Sequence, residues 1–173
     1  MAAGQQAAAN VVVGVADLAV VNAKEGVIRT FALGSCIGIT VWDPRTHAGG
    51  LLHFMLAEPG EDAPVGKPAM YATTGIPLLF SRMAEFGVPR DRLVVCAAGG
   101  AEILADSGLF TIGKRNRTTM RRIFWKDGTK LSAEDTGGDH ARNLSLDLST
   151  GAVSVRVRGT EKVLWAPAGM ERT

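Results

Sequence analysis

The stretch VIRTFALGSCIGITVWDPRTHAGGLLHFML, Val27 to Leu56, decides the fold. It holds three apolar runs, 27–33, 36–42 and 50–56, each of strand length, the first two rich in β-branched residues. Gly34-Ser35 parts the first two. Asp43-Pro44-Arg45-Thr46 parts the second from the third, with proline at a favoured turn position. Consecutive strands joined by short turns read as neighbours. If 36–42 and 50–56 pair antiparallel around the Asp43–Gly49 turn, Cys36 and His53 fall near each other at the same end of the pair.

The pattern continues outward. Residues 11–15 are another β-branched run, and Asn22–Gly26 is a turn. Residues 57–68 (AEPGEDAPVGKP) form a Pro/Gly/acidic loop, long enough to suggest a role beyond plain connection. Ala72, Ile76, Leu79, Phe80, Met83 and Phe86 recur at helical spacing, and Gly87 stops them. This helix starts near Pro77 as a first-turn residue, or near Pro68 with a kink. Leu93 to Ala98 reads as a buried strand ending at Gly99-Gly100, and Asn116 to Lys126 as a second helix with Met120, Ile123 and Phe124 inward. Leu144, Leu146 and Leu148 alternate with polar residues, as do Val153, Val155 and Val157 after Thr150-Gly151, which predicts a hairpin with one buried face. Strands in consecutive blocks with few helices give the α/β (α+β) class, a single-domain sandwich with mixed and antiparallel sheets. The domain is expected over 11–165, between a flexible N-terminal tail (1–10) and a C-terminal tail (166–173).

The chain has 173 residues, 46% of them hydrophobic, which is enough for one proper core and excludes a disordered chain. No segment approaches the roughly 20 apolar residues of a membrane span. The best, Val11 to Val21, is broken by Asp17 and follows no basic region, so a secretory signal is not expected either. Two cysteines cannot build a disulfide framework, and free thiols fit a cytoplasmic protein.

Gly60 to Pro68 resembles a phosphate loop, but it has one spacer residue too many and proline where Ser or Thr must bind magnesium. His47, His53, His140 and the two cysteines form no close ligand pair, so no metal is expected. A thiol and an imidazole remain. Cys36 follows Gly34-Ser35, in a turn that can expose a side chain and aim the N–H groups of residues 34–36 outward, as an oxyanion hole requires. His53 lies inside an apolar run, either as a satisfied core histidine or as a functional group on a rigid strand. Together they make a nucleophile and its base, with Thr30 a candidate to orient the imidazole. Composition and spacing leave open the blander reading of a buried thiol and an unrelated histidine. Cys96, inside an apolar strand, reads as structural.

Thr30-Phe31-Ala32-Leu33-Gly34-Ser35-Cys36, the Trp42-Asp43-Pro44 turn and Gly49 to Leu56 resemble the chemoreceptor glutamine deamidase family, CheD. Gly99-Gly100-Ala101, Ile112 to Asn116 and Glu134 to Gly138 follow in that family's order, and the resemblance covers roughly 11–160. Glu102-Ile103 and Arg29 depart from its pattern. The resemblance implies a three-layer α/β sandwich similar to the catalytic domain of cytotoxic necrotizing factors, and a Cys36–His53–Thr30 triad. It further implies deamidation of protein glutamines through a thioester, with the oxyanion held by the Gly34, Ser35 and Cys36 turn, without a cofactor. A glutamyl methylesterase side activity and a CheC-type phosphatase partner come with it. The runner-up is a non-catalytic adaptor of the same fold that binds that phosphatase or the receptor.

Lys114, Arg115, Arg117, Arg121, Arg122 and Lys126 concentrate six positive charges between residues 114 and 126, in and just before the second predicted helix, on a chain of net charge only +2. No nucleic-acid module accompanies them. The patch reads either as a solvated helix face or as a surface complementary to glutamate-rich receptor helices.

Overall fold

The computed structural model describes residues 8–102 and 110–170. Its strands are β1 (Ala9–Val12), β2 (Asp17–Asn22), β3 (Gly26–Leu33), β4 (Ile37–Trp42), β5 (Ala48–Phe54), β6 (Val94–Gly99), β7 (Ala133–Thr136), β8 (Arg142–Asp147), β9 (Val153–Val157) and β10 (Thr160–Trp165), and its helices α1 (Ala72–Glu85) and α2 (Phe110–Lys126). One sheet has the order β1-β3-β8-β9-β10, the other β2-β5-β4-β6-β7. Both are mixed, with β1–β3 and β6–β7 parallel and the other pairs antiparallel.

Side-chain alternation sets the layers. In β4, Ile37, Ile39 and Val41 join Leu52, Phe54, Ile76, Leu79, Met83, Met120 and Phe124 in a core beneath the helices. Trp42 points the other way, into a second core with Leu33, Leu51, Leu144, Leu146, Leu148 and Val153. The middle strand is therefore apolar on both faces, as a doubly covered strand must be. The order is sheet, sheet, helices: a mixed α/β sandwich whose β4–β5 hairpin lies in the central layer. Gly151 permits a close approach between layers, since a Cβ there would lie 2.4 Å from the Trp42 ring. No helix among the described residues is long and apolar enough to cross a membrane.

Several expectations need correction. The run expected over 11–15 is a strand only as far as Val12: Ala16, at φ 58°, turns the chain, and Asp17–Asn22 forms β2, a strand not expected, in the other sheet. The expected N-terminal tail is shorter than 1–10, because Ala9 and Asn10 pair with Gly26 and Val27. Residues 1–7 and 171–173 of the two expected tails, and Ile103, lie outside the described residues. A separate 3-10 turn occupies Pro68–Met70, Tyr71 is extended, and α1 runs from Ala72 through Pro77. The helix thus starts between the two expected points. β7 and β10 were not expected; both are edge strands with charged, partly exposed residues and no alternating apolar signature.

Candidate active site

β4 and β5 pair with Gly38 opposite His53 and Ile37 opposite Phe54. Phe54 and Leu52 face the helices, so His53 projects between the sheets. There it meets Thr30 of β3, in the opposite sheet: His53 Nδ1 lies 2.8 Å from Thr30 Oγ1. The Thr30 hydroxyl donates its own proton to the Val13 carbonyl at 2.7 Å. Having one proton, it can only accept from the imidazole, which places the histidine proton on Nδ1 and leaves Nε2 as a lone pair. Nε2 is buried and has no hydrogen-bond partner among the described residues.

Cys36 stands one residue before β4 and two before Gly38, on the diagonal to His53 and on the same sheet face. Its half-buried side chain packs against the inter-sheet core. Gly38 is required here, because a Cβ would come within 2.9 Å of both Leu144 and Leu33. Among the described residues no hydrogen bond joins the thiol and the imidazole. Burial pushes the Cys36 thiol up, against a smaller opposing effect of its own backbone N–H. Burial pulls the imidazole down to about 4. The resting pair is therefore neutral.

The 34–36 turn is anchored through its carbonyls. Gly34 O accepts from Ala101 N–H at 2.8 Å, Cys36 O from Gly100 N–H at 2.7 Å, and Ser35 O from Asn116 Nδ2 at 2.9 Å. Gly34 N–H is spent on Ala32 O at 2.9 Å, so Gly34 drops out as an oxyanion donor. Ser35 and Cys36 N–H are the donors the turn has to offer. Upstream, β3 and β8 slip register between Thr30 and Leu33, and Ala32 takes φ 56° with its N–H held by Asn143 Oδ1. A bulge of this kind re-aims the chain that follows it. Gly99, at φ 112°, lies against the turn, where a Cβ would sit 2.3 Å from Cys36 O.

Asn116 and Asn143 were not singled out from sequence as site residues. Asn116 precedes Met120 by one helical turn and so shares the inward face of α2, a polar residue where apolar ones are expected. Asn143 gave no such signal. Cys96 is fully buried in the inter-sheet core, and burial raises its thiol to about 12, outweighing the smaller opposing effect of the polar groups of Ala133 and Thr40 nearby. Arg117 is a strut rather than a free charge: it donates to Gly100 O and pairs with Glu102, both at 2.6 Å. Gly137 leaves room for its guanidinium. Arg121 pairs with Glu134 at 2.7 Å.

His53 also predicts how stability depends on pH. In the unfolded chain imidazole takes up a proton near its ordinary 6.5, whereas the native group does so only near 4. Between these values the unfolded state binds more protons, so stability present above about pH 6.5 is lost as pH falls towards 4. Thermal melting should show this decline, and His53→Gln should flatten it. An unchanged slope would contradict the buried neutral imidazole.

Residues 55–157 match the family described as CheD chemotactic sensory transduction. A relative from Solibacter usitatus, named "Probable chemoreceptor glutamine deamidase CheD", is 42% identical over 89% of this chain and 92% of its own length. Relatives of the same kind from Syntrophus aciditrophicus and Pyrococcus abyssi are 40% and 44% identical, covering 87% and 83% of this chain and 95% and 89% of theirs. The chain belongs to the CheD family.

Proposed function

We propose that the protein is a deamidase that converts glutamine side chains of methyl-accepting chemotaxis receptors to glutamate, with Cys36 as nucleophile. The observation that carries this reading is the Val13–Thr30–His53 relay, which leaves one unpartnered imidazole lone pair on the face that bears Cys36. His53 Nε2 takes the thiol proton, and Sγ attacks the carboxamide carbon of a bound glutamine. The N–H groups of Ser35 and Cys36 hold the oxyanion. The imidazolium then protonates the departing amine, and ammonia leaves behind a thioester. His53 next removes a proton from water, the hydroxide attacks the thioester carbon, and the thiolate departs and is reprotonated. The product is glutamate, and no cofactor enters the balance. A glutamyl methyl ester would give the same acyl-enzyme. Similarity to cytotoxic necrotizing factor catalytic domains is supported by the sheet–sheet–helix layering and the Cys–His–Thr set. A CheC-type phosphatase is proposed as a second partner on the resemblance alone. Ammonia release from a receptor cytoplasmic fragment tests the reading; its absence, with the fragment bound, would favour an adaptor.

Docking is assigned to the exposed face of α2. Lys114, Arg122 and Lys126 are exposed, and Trp125, 84% exposed, lies among them. Arg122→Glu with Lys126→Glu should lower kcat/KM about tenfold at low ionic strength and much less at high salt. Equal effects at both would remove the helix from the docking surface. Arg117 is excluded from that test, because its replacement would disturb the Gly99-Gly100 turn.

A further inference from the structure

Asn116 is fully buried, and its side chain bridges the two backbone segments that carry the reacting pair. Nδ2 donates to Ser35 O at 2.9 Å, next to Cys36, and to Met55 O at 2.7 Å, two residues beyond His53. An atom facing two carbonyls must be the amide nitrogen, so the orientation of the side chain follows from its partners. Oδ1 is then a pure acceptor, and it is buried without a hydrogen-bond partner among the described residues. Asn116 also lines an open cleft of about 370 Å³ with Leu56, Glu58, Pro59, Ile112 and Arg115. A buried acceptor whose own amide nitrogen bonds the carbonyl of the residue before Cys36, at the wall of a cleft, favours a ligand that brings an N–H group.

We infer that Asn116 Oδ1 accepts a hydrogen bond from the carboxamide NH2 of the substrate glutamine, so that α2 contributes selectivity for amides over esters. The inference rests on the deamidase reading. An ester or an acid carboxylate offers no N–H, and either would leave Oδ1 unpaired in the complex. A site built to bond a substrate donor discriminates strongly against analogues that lack it. This residue would thus suppress the methylesterase side reaction and release the acid product.

The test is alkylation of Cys36 at pH 9 by iodoacetamide, a primary carboxamide, and by methyl iodoacetate, its ester counterpart. Each rate is divided by the rate with glutathione to remove intrinsic reactivity. The wild type should prefer the amide by about fivefold, and Asn116→Ala and Asn116→Ser should both bring the ratio to about one. A general loosening of the turn would slow both reagents alike and leave the ratio unchanged. A wild-type ratio near one, or a preference that survives in either folded variant, would overturn the inference. Alkylation at this pH needs neither His53 nor a receptor, so failure of the deamidase reading, seen as no ammonia release, stays separate from this result.

Discussion

Replacing Cys36 with alanine should lower deamidation of a receptor fragment by at least about a thousandfold while leaving the fold and fragment binding intact. The side chain is half-buried at a turn whose carbonyls are anchored by Gly100, Ala101 and Asn116, so removing one sulfur leaves those bonds in place. Cys96 cannot substitute. It lies between the sheets, fully buried, with its thiol pushed up to about 12 by that burial. Cys96→Ala should cost stability through a small cavity and leave turnover nearly unchanged. Ammonia release from the two variants checks both halves, and equal loss in each would contradict the assignment of Cys36.

Thr30→Val should reduce kcat by about a hundredfold with little change in KM. Valine matches the shape of threonine but neither donates to Val13 O nor accepts from His53 Nδ1, so two buried groups lose their partners. The stability cost should be about 2 kcal/mol. The catalytic cost arises separately: without the Nδ1 acceptor the imidazole is free to adopt the tautomer whose Nε2 carries a proton and cannot act as base. Thr30→Ser retains the hydroxyl and should recover most of the activity. If the valine variant keeps its activity and the serine variant loses it, the methyl group rather than the hydroxyl is what matters, and the relay is wrong.

How much of this was legible in the sequence depended on distance along the chain. The β4–β5 hairpin was readable because its turn is short and its runs are long, and the observed register sets Cys36 diagonal to His53. The Leu144–Val157 hairpin was readable because one face is wet and alternation survives. The Thr30–His53 contact crosses from one sheet to the other, and no local pattern records which strands stack; Thr30 was named only as the residue leading into the turn and by family resemblance. Asn116 was hidden by its own helix, since helical spacing marks a face as inward but not what a polar side chain there will bond. Arg117 misled for the opposite reason: on a basic helix it counted as surface charge, whereas Gly100 and Gly137, lacking Cβ atoms, make room for it to fold back. Edge strands β7 and β10 were missed because charge protects edges and erases the apolar alternation that reveals strands.

The most direct measurement of the central claim is the intact mass of a receptor cytoplasmic fragment after incubation in ordinary and in heavy-oxygen water. Wild-type protein should add about 1 Da per modified glutamine in ordinary water and about 3 Da in heavy-oxygen water, because solvent oxygen enters when the thioester is hydrolysed, and Cys36→Ala should add nothing. An unchanged mass with the fragment still bound would contradict thiol-dependent deamidation and leave an adaptor that carries an idle triad.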